Sequence, residues 1–293
     1  MSNDSVNSNG QDSESVVVVS RPHRPSNVWL IIVAALFIVV PFLTWYLTWF
    51  GRGLSDQELA TYLKDQNNPR HMQHALLQVE AKIEKGEPNA TQFYPQIVTA
   101  SKSSIAEVRK TAAWVMGQDN KSDEFHGALL QLLKDEDPLV RRNAALQLIR
   151  FGDAAGHDEL LSMLKPFDAK APVAGTIVGL LPVNSTIRAG GLLARIRDAA
   201  NSLYEFRSPV DGRMAAPSIT KEGDQITANQ TVARLLPDHA TIIDALRGLA
   251  YVGTKDDLEL IADAARMDTS AETTNLSNQT TNAIRTRAEG GAK

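Results

Sequence analysis

Apolar and polar positions alternate differently along successive stretches of this chain, and each change of pattern marks an element. Residues 1–27 are mostly Ser, Asn and Asp around a short Val16 to Val19 run and the basic "RPHRP" at 21–25. So little apolar area cannot offset the entropy of ordering, and a disordered tail is expected. Val28 to Phe50, "VWLIIVAALFIVVPFLTWYLTWF", carries no charge over 23 residues. As a helix it would be roughly 34 Å long, against about 30 Å for a hydrocarbon core. Trp29 at one end and Trp45, Tyr46 and Trp49 at the other suit two headgroup layers. Pro41 predicts a modest kink.

The run is longer than a signal peptide's apolar region, starts after a 27-residue tail and has no small-x-small cleavage site behind it. An uncleaved single transmembrane helix over 28–50 is therefore expected. Arg21 and Arg24 precede it while Arg52 alone directly follows. That imbalance favours a cytoplasmic N-terminus and puts residues 51–293 on the periplasmic or extracytoplasmic side.

Over residues 54–166 the period is helical. "VRKTAAWVMG" from Val108 and "VRRNAALQLI" from Val140 repeat at a spacing of 32 residues, and each follows another amphipathic stretch, from Gln92 and from Glu124. Val108, Ala112, Val115 and Met116, and likewise Val140, Ala144 and Leu148, fall on one helix face. Helix pairs recurring in this way bury their faces only by stacking into a solenoid. The shape Asp135 to Leu148, "DEDPLVRRNAALQL", closely resembles the HEAT-repeat family, and a more degenerate unit spans Ser55 to Lys85. The resemblance implies an all-α solenoid that binds another protein. Arg109, Lys110, Arg141 and Arg142, read as exposed basic positions of the repeats, are the candidate partner-binding residues.

At Lys165-Pro166 the period drops to two, and residues 168–237 are read as an all-β domain. It is doubled: "PVAGTI" from Pro172 matches "PVDGRM" from Pro209, 37 residues on, and "IRAGGLLARI" from Ile187 matches "ITANQTVARL" from Ile226, 39 residues on. Two such halves predict a two-layer sandwich with pseudo-twofold symmetry, with Gly175 and Gly212 at reversals of positive φ and a surface turn at Lys221 to Asp224. The pattern resembles the barrel-sandwich hybrid fold of lipoyl and biotinyl domains and of membrane-fusion (periplasmic adaptor) proteins. In the carriers of that fold a lysine at the hairpin tip receives the cofactor; here the tip falls on Asn201, and no lysine occurs between Lys170 and Lys221. The resemblance thus implies an unmodified domain and no cofactor. Adaptors of the efflux type also insert a long helical hairpin, where this chain has only Arg197 to Ser208.

Helical periodicity returns over 239–267, and residues 268–293, rich in Thr, Asn and Ser, read as a second disordered tail. Composition excludes several chemistries. There is no cysteine, hence no disulfide, thiolate metal site or cysteine nucleophile. The net charge of −4 carries no basic block to track a phosphate backbone, so nucleic acid is not an expected partner. No Gly-rich phosphate loop, Gly-x-Ser-x-Gly or His-Glu-x-x-His occurs, and the chain is read as non-enzymatic. His71 and His74 have a ligand-like spacing of three but no acidic third ligand at a telling offset, so no metal is expected. The expectation is a membrane-anchored, non-catalytic scaffold or adaptor that binds a partner protein, itself membrane-associated, through the HEAT-like repeats and the unmodified lipoyl-like domain. The alternative is an accessory subunit of a membrane-fusion-type transport or secretion complex.

Overall fold

The computed structural model describes residues 28–49, 53–216 and 219–290, with side chains described over 28–44, 53–216 and 219–290. The chain divides between Gly53 and Leu54 into two compact units. In the first, helix α1 runs Val28–Trp49 with Pro41 inside it. Among the described residues no helix is long and apolar enough to cross a membrane. This corrects the single span expected over 28–50, and removes the basis for the extracytoplasmic placement of residues 51–293 and for a membrane-associated partner. The tail expected over 1–27 lies outside the described residues.

In the second unit, helices stack in hairpins: α2 (Asp56–Tyr62) with α3 (Pro69–Glu84), α4 (Tyr94–Ala100) with α5 (Ala106–Met116), and α6 (Asp123–Leu132) with α7 (Pro138–Arg150). Local chemistry sets where they start. Ser55 and Glu58 form a capping box at α2, and Ser122 accepts from the Phe125 amide at α6. Asp137, followed by Pro138 at the first helical position, accepts from the Leu139 and Val140 amides. Leu59, Leu76, Ile97, Val108, Phe125 and Val140 are buried completely in one core through these six helices. The stacking explains the repeat in the sequence, since each hairpin covers the apolar face of the next.

The β region, between α8 (His157–Met163) and α9 (His239–Val252), holds two small antiparallel sheets. Its strands are β1 (Phe167–Lys170), β2 (Gly175–Leu180), β3 (Thr186–Ile187), β4 (Leu192–Arg197), β5 (Leu203–Arg207), β6 (Gly212–Met214), β7 (Gln225–Ile226) and β8 (Thr231–Leu236). The orders are β1-β8-β6-β3 and β5-β4-β2-β7. No strand pairing joins the two sheets among the described residues, so each keeps two edges and no barrel closes. The barrel-sandwich hybrid expected over 168–237 is corrected accordingly. Ile177, Leu193 and Ile196 from one sheet share a buried core with Met214, Val232 and Leu235 from the other.

The doubling in the sequence is visible in the backbone. Asn184 (φ 64°) and Gly223 (φ 92°) take the same left-handed turn in the two halves, as do Gly190 (φ 78°) and Asn229 (φ 65°). Both residue types tolerate that region, which other side chains avoid. Gly175 and Gly212, expected at positive φ, are absent from it; they serve close approach instead. A Cβ on Gly175 would collide with the Arg197 carbonyl oxygen, and one on Gly212 would lie 2.7 Å from the Leu236 carbonyl oxygen.

Helices resume as α9, α10 (Leu258–Met267) and α11 (Ala271–Gly290). They continue the solenoid: α9 packs on α8 and α7, and Leu160 and Leu164 share a buried core with Ile242, Leu246, Ile261 and Ile284. The β region is thus an insertion between the two helices of one hairpin. Helix α11 corrects the disordered tail expected from Asp268 onward. Its buried face is mostly hydroxyl: Thr273, Ser277 and Thr280 with Ile284. Thr280 donates to the Leu246 carbonyl (3.0 Å), and Arg287 donates to the carbonyls of Ala250 (2.7 Å) and Gly253 (2.6 Å) at the end of α9. Hydrogen bonds and an arginine cap hold a helix whose hydropathy alone signals disorder.

Candidate interaction surface

The four basic residues singled out in the repeats have separate fates. Arg109 is 7% exposed; its Nε donates to Asp135 Oδ2 at 2.6 Å, its Nη2 to Asp135 Oδ1 at 2.7 Å and its Nη1 to the Ser103 carbonyl at 2.9 Å. One repeat later, Arg141 Nη1 donates to the Asp135 carbonyl at 2.8 Å and Nε to Glu159 at 3.1 Å. Arg109 and Arg141, and likewise Ser103 and Asp135, are both 32 residues apart. The same arginine of each repeat therefore ties its own turn to a carboxylate of the next, forming a ladder along the stack. The Asp135 hydrogen bonds push the Arg109 pKa up against the opposing effect of burial. Burial alone would raise the Asp135 carboxyl, but Arg109 and the Asp137 amide outweigh it and hold the pKa below the usual range.

Lys110 pairs with Glu107 at 2.6 Å on the same helix, partly exposed. Arg142 is 7% exposed, which with Arg109 corrects the reading of these positions as an exposed basic face. Its Nε is buried without a hydrogen-bond partner, and burial lowers its pKa, with Glu159, Asp211 and Asp238 the carboxylates that offset this. Asp211 belongs to the insertion and Asp238 caps α9. Arg142 thus lies where α7 meets the insertion, whose core also receives Leu139 of α7.

Other expected positions are equally plain. Asn201 sits at the β4–β5 hairpin tip with φ 63° and accepts from Arg197 Nη1 at 3.0 Å. His71 and His74 take different partners: His71 Nδ1 meets Asp65 at 2.9 Å and its ring stacks on Tyr62, while His74 Nε2 meets Gln78 at 2.7 Å. Among the described residues no His, Asp and Glu cluster could hold a metal ion.

The hairpin turns present features that the sequence reading missed. Lys64, Lys102, Lys134 and Lys165 each follow the C-cap residue of α2, α4, α6 and α8. Their amides make the same bond to the carbonyl three residues back: Lys64 to Thr61 (3.2 Å), Lys102 to Thr99 (3.0 Å), Lys134 to Gln131 (3.0 Å) and Lys165 to Ser162 (3.1 Å). The spacings of 38, 32 and 31 residues were legible, but the lysines belong to turns rather than to the apolar face that defined the repeat. Between the first two turns lies a groove of about 600 Å³, walled by Leu63, Met72 and Pro95 and edged by Lys64, Lys102 and Thr99, with no carboxylate in its lining. On the helix faces, Leu77 and Trp114 are 49% and 43% exposed, and Trp114 Nε1 donates to Glu80 at 2.5 Å.

Comparison with known proteins agrees with this geometry over part of the chain. Residues 95–171 match a family model described as HEAT repeats. The match supports a repeat-based scaffold for protein interaction; it covers the helices around the Arg109 and Arg141 ladder and stops at the first strand of the insertion. No curated protein matches the chain. One solved structure, a crystal structure of an engineered protein, aligns over 78% of this chain and 78% of its own, at 15% identity and a TM-score of 0.38. A likeness at that level bears on neither fold detail nor function.

Proposed function

We propose that this protein is a rigid, non-catalytic scaffold that holds a partner protein against its helical repeats and carries the β insertion as a fixed second block. The reading rests on one observation: the solenoid core continues from α7 and α8 straight into α9, α10 and α11 across an insertion of about seventy residues. Long-range ties reinforce it. His157 Nε2 on α8 meets Asp257 Oδ2 ahead of α10 at 2.7 Å, joining residues a hundred positions apart on either side of the insertion. A stacked solenoid with internal ion pairs offers an extended, pre-organised surface, and binding to such a surface costs little ordering entropy. In this reading Arg109, Arg141 and Arg142 set the stacking and the seat of the insertion, and the contact lies on exposed positions of the repeats.

Site-specific photo-crosslinking in cells tests this. A crosslinking residue placed in turn at Leu77, Lys102, Trp114 and Lys134 should trap the same discrete protein from several of these positions. Trapping only from insertion positions such as Val178 and Leu203, or none from the solenoid, refutes the reading.

A further inference from the structure

The four turn lysines point to the chemistry of the partner, an inference that rests on the scaffold reading. Lys64, Lys102, Lys134 and Lys165 are all exposed, and among the described residues none makes an ion pair or a side-chain hydrogen bond. A lysine just past a helix end gains from the helix dipole, which accounts for each residue singly. It leaves every ammonium in solvent. Each lysine follows the first helix of its hairpin, so stacking sets the four turns along one side of the solenoid, and Lys64 and Lys102 edge the same groove.

Most carboxylates of the same turns are engaged elsewhere. Asp65 meets His71, Asp135 is held by Arg109 and Asp137 caps α7, whereas Glu136 is 91% exposed beside Lys134 and gives the third turn mixed charge. The groove at the first two turns is thus locally cationic on a chain whose net charge is −4. The groove between the first two turns adds apolar walls beneath Lys64 and Lys102.

We infer that this side of the solenoid is the docking surface for an acidic segment of a partner protein, its carboxylates set against the row of lysines and its apolar side chains in the groove. In a polyproline II peptide every third residue falls on the same side at about 9 Å, a spacing comparable to that of packed helices. A nucleic-acid strand places a phosphate every 3.4 Å or so, and four cations at triple that spacing on an acidic protein suit it poorly.

The test uses the full-length protein and a fluorescein-labelled peptide with four glutamates separated by two neutral residues, read by anisotropy. Saturable binding is expected, about tenfold weaker when NaCl rises from about 50 to 500 mM, and absent for the same peptide with glutamine in place of glutamate. The variant K64Q/K102Q/K134Q/K165Q should lose at least about tenfold in affinity, each single substitution about two- to threefold, with the helical circular dichroism of wild type and only a modest fall in Tm from the lost helix-end charges. No binding of the peptide overturns the inference, as does equal binding by the quadruple variant. So does a result in which the same lysines govern only retention on phosphatidylserine vesicles or on single-stranded DNA. If crosslinking traps a partner on the solenoid whose capture is indifferent to the four substitutions, the scaffold reading stands and this assignment fails.

Discussion

Substituting Arg109 with methionine keeps most of the side chain's length and removes its charge, leaving Asp135 buried opposite an apolar group. The two side chains are 9% and 7% exposed and joined by two short hydrogen bonds, so solvent screens the pair little. Breaking one partner of a buried pair costs about 3–5 kcal/mol, since the other is left buried and uncompensated. Asp135 would retain the Asp137 amide at 2.9 Å and the field of Arg141, which places the loss near about 3 kcal/mol at the low end of that range. For a unit of this size that is a fall in Tm of about 6–12 °C. Asp135→Asn should cost a similar amount, and the double variant R109M/D135N less than the sum, with a coupling of at least about 1.5 kcal/mol. The neighbouring Lys110→Met supplies the contrast: its pair with Glu107 is 31% and 60% exposed, and its loss should stay within about 0.5 kcal/mol. Urea denaturation and thermal melts followed by helical circular dichroism measure all four proteins. A Tm for R109M within about 2 °C of wild type, or additive single and double variants, would refute the ladder as a stabilising element.

The clasp on α11 should depend on pH. His239 Nδ1 meets Asp268 at 2.6 Å and Nε2 meets Glu272 at 3.2 Å, so only the imidazolium donates to both, and the Asp268 hydrogen bond, helped by Glu272, raises the His239 pKa above 6.5. A raised histidine stabilises below its unfolded pKa, and that contribution is lost as pH climbs through the folded value. Burial of Asp268 opposes ionisation, but Thr273, His239 and the Ser270 amide hold its pKa at about 2, so its contribution is present above 3.8 and lost as pH falls toward about 2. Amide exchange in α11, corrected for intrinsic rates, should therefore be slowest between about pH 4 and 6.5 and quicken toward pH 9; a flat profile, or one unchanged in His239→Gln, contradicts the clasp. Gly212→Ala places a methyl 2.7 Å from the Leu236 carbonyl oxygen and should destabilise the insertion by about 1–3 kcal/mol. A melt indistinguishable from wild type would show that the two strands approach less closely than described. Phe125→Ala empties a fully buried site in the first helical core and should cost about 3–5 kcal/mol in urea denaturation; a loss below about 1 kcal/mol would mean that the hairpins do not share that core.

The succession of elements in residues 54–267 was legible because periodicity is a local property. The 32-residue recurrence of Val-Arg-basic-polar-Ala-Ala wrote the stacked hairpins directly into the chain, and the doubled Pro-Val-x-Gly and Ile-x-Ala motifs announced two halves of a β unit. What distance along the chain conceals was decided by packing. No local pattern says that α9 returns to α8 across the insertion; apolar faces such as those of Leu160 and Leu246 find each other only in three dimensions. Helix α11 escaped notice because its buried stripe is threonine and serine, whose hydroxyls are costly to bury until the carbonyls of neighbouring helices receive them. The candidate surface divides the same way. Arginines at 109 and 141 were visible as repeat residues, but whether a guanidinium faces solvent or a carboxylate 26 residues away is settled only by the stacking that brings Asp135 alongside. The turn lysines were in plain view as well, and it is again the stacking, an apolar effect with no knowledge of charge, that sets them along one side.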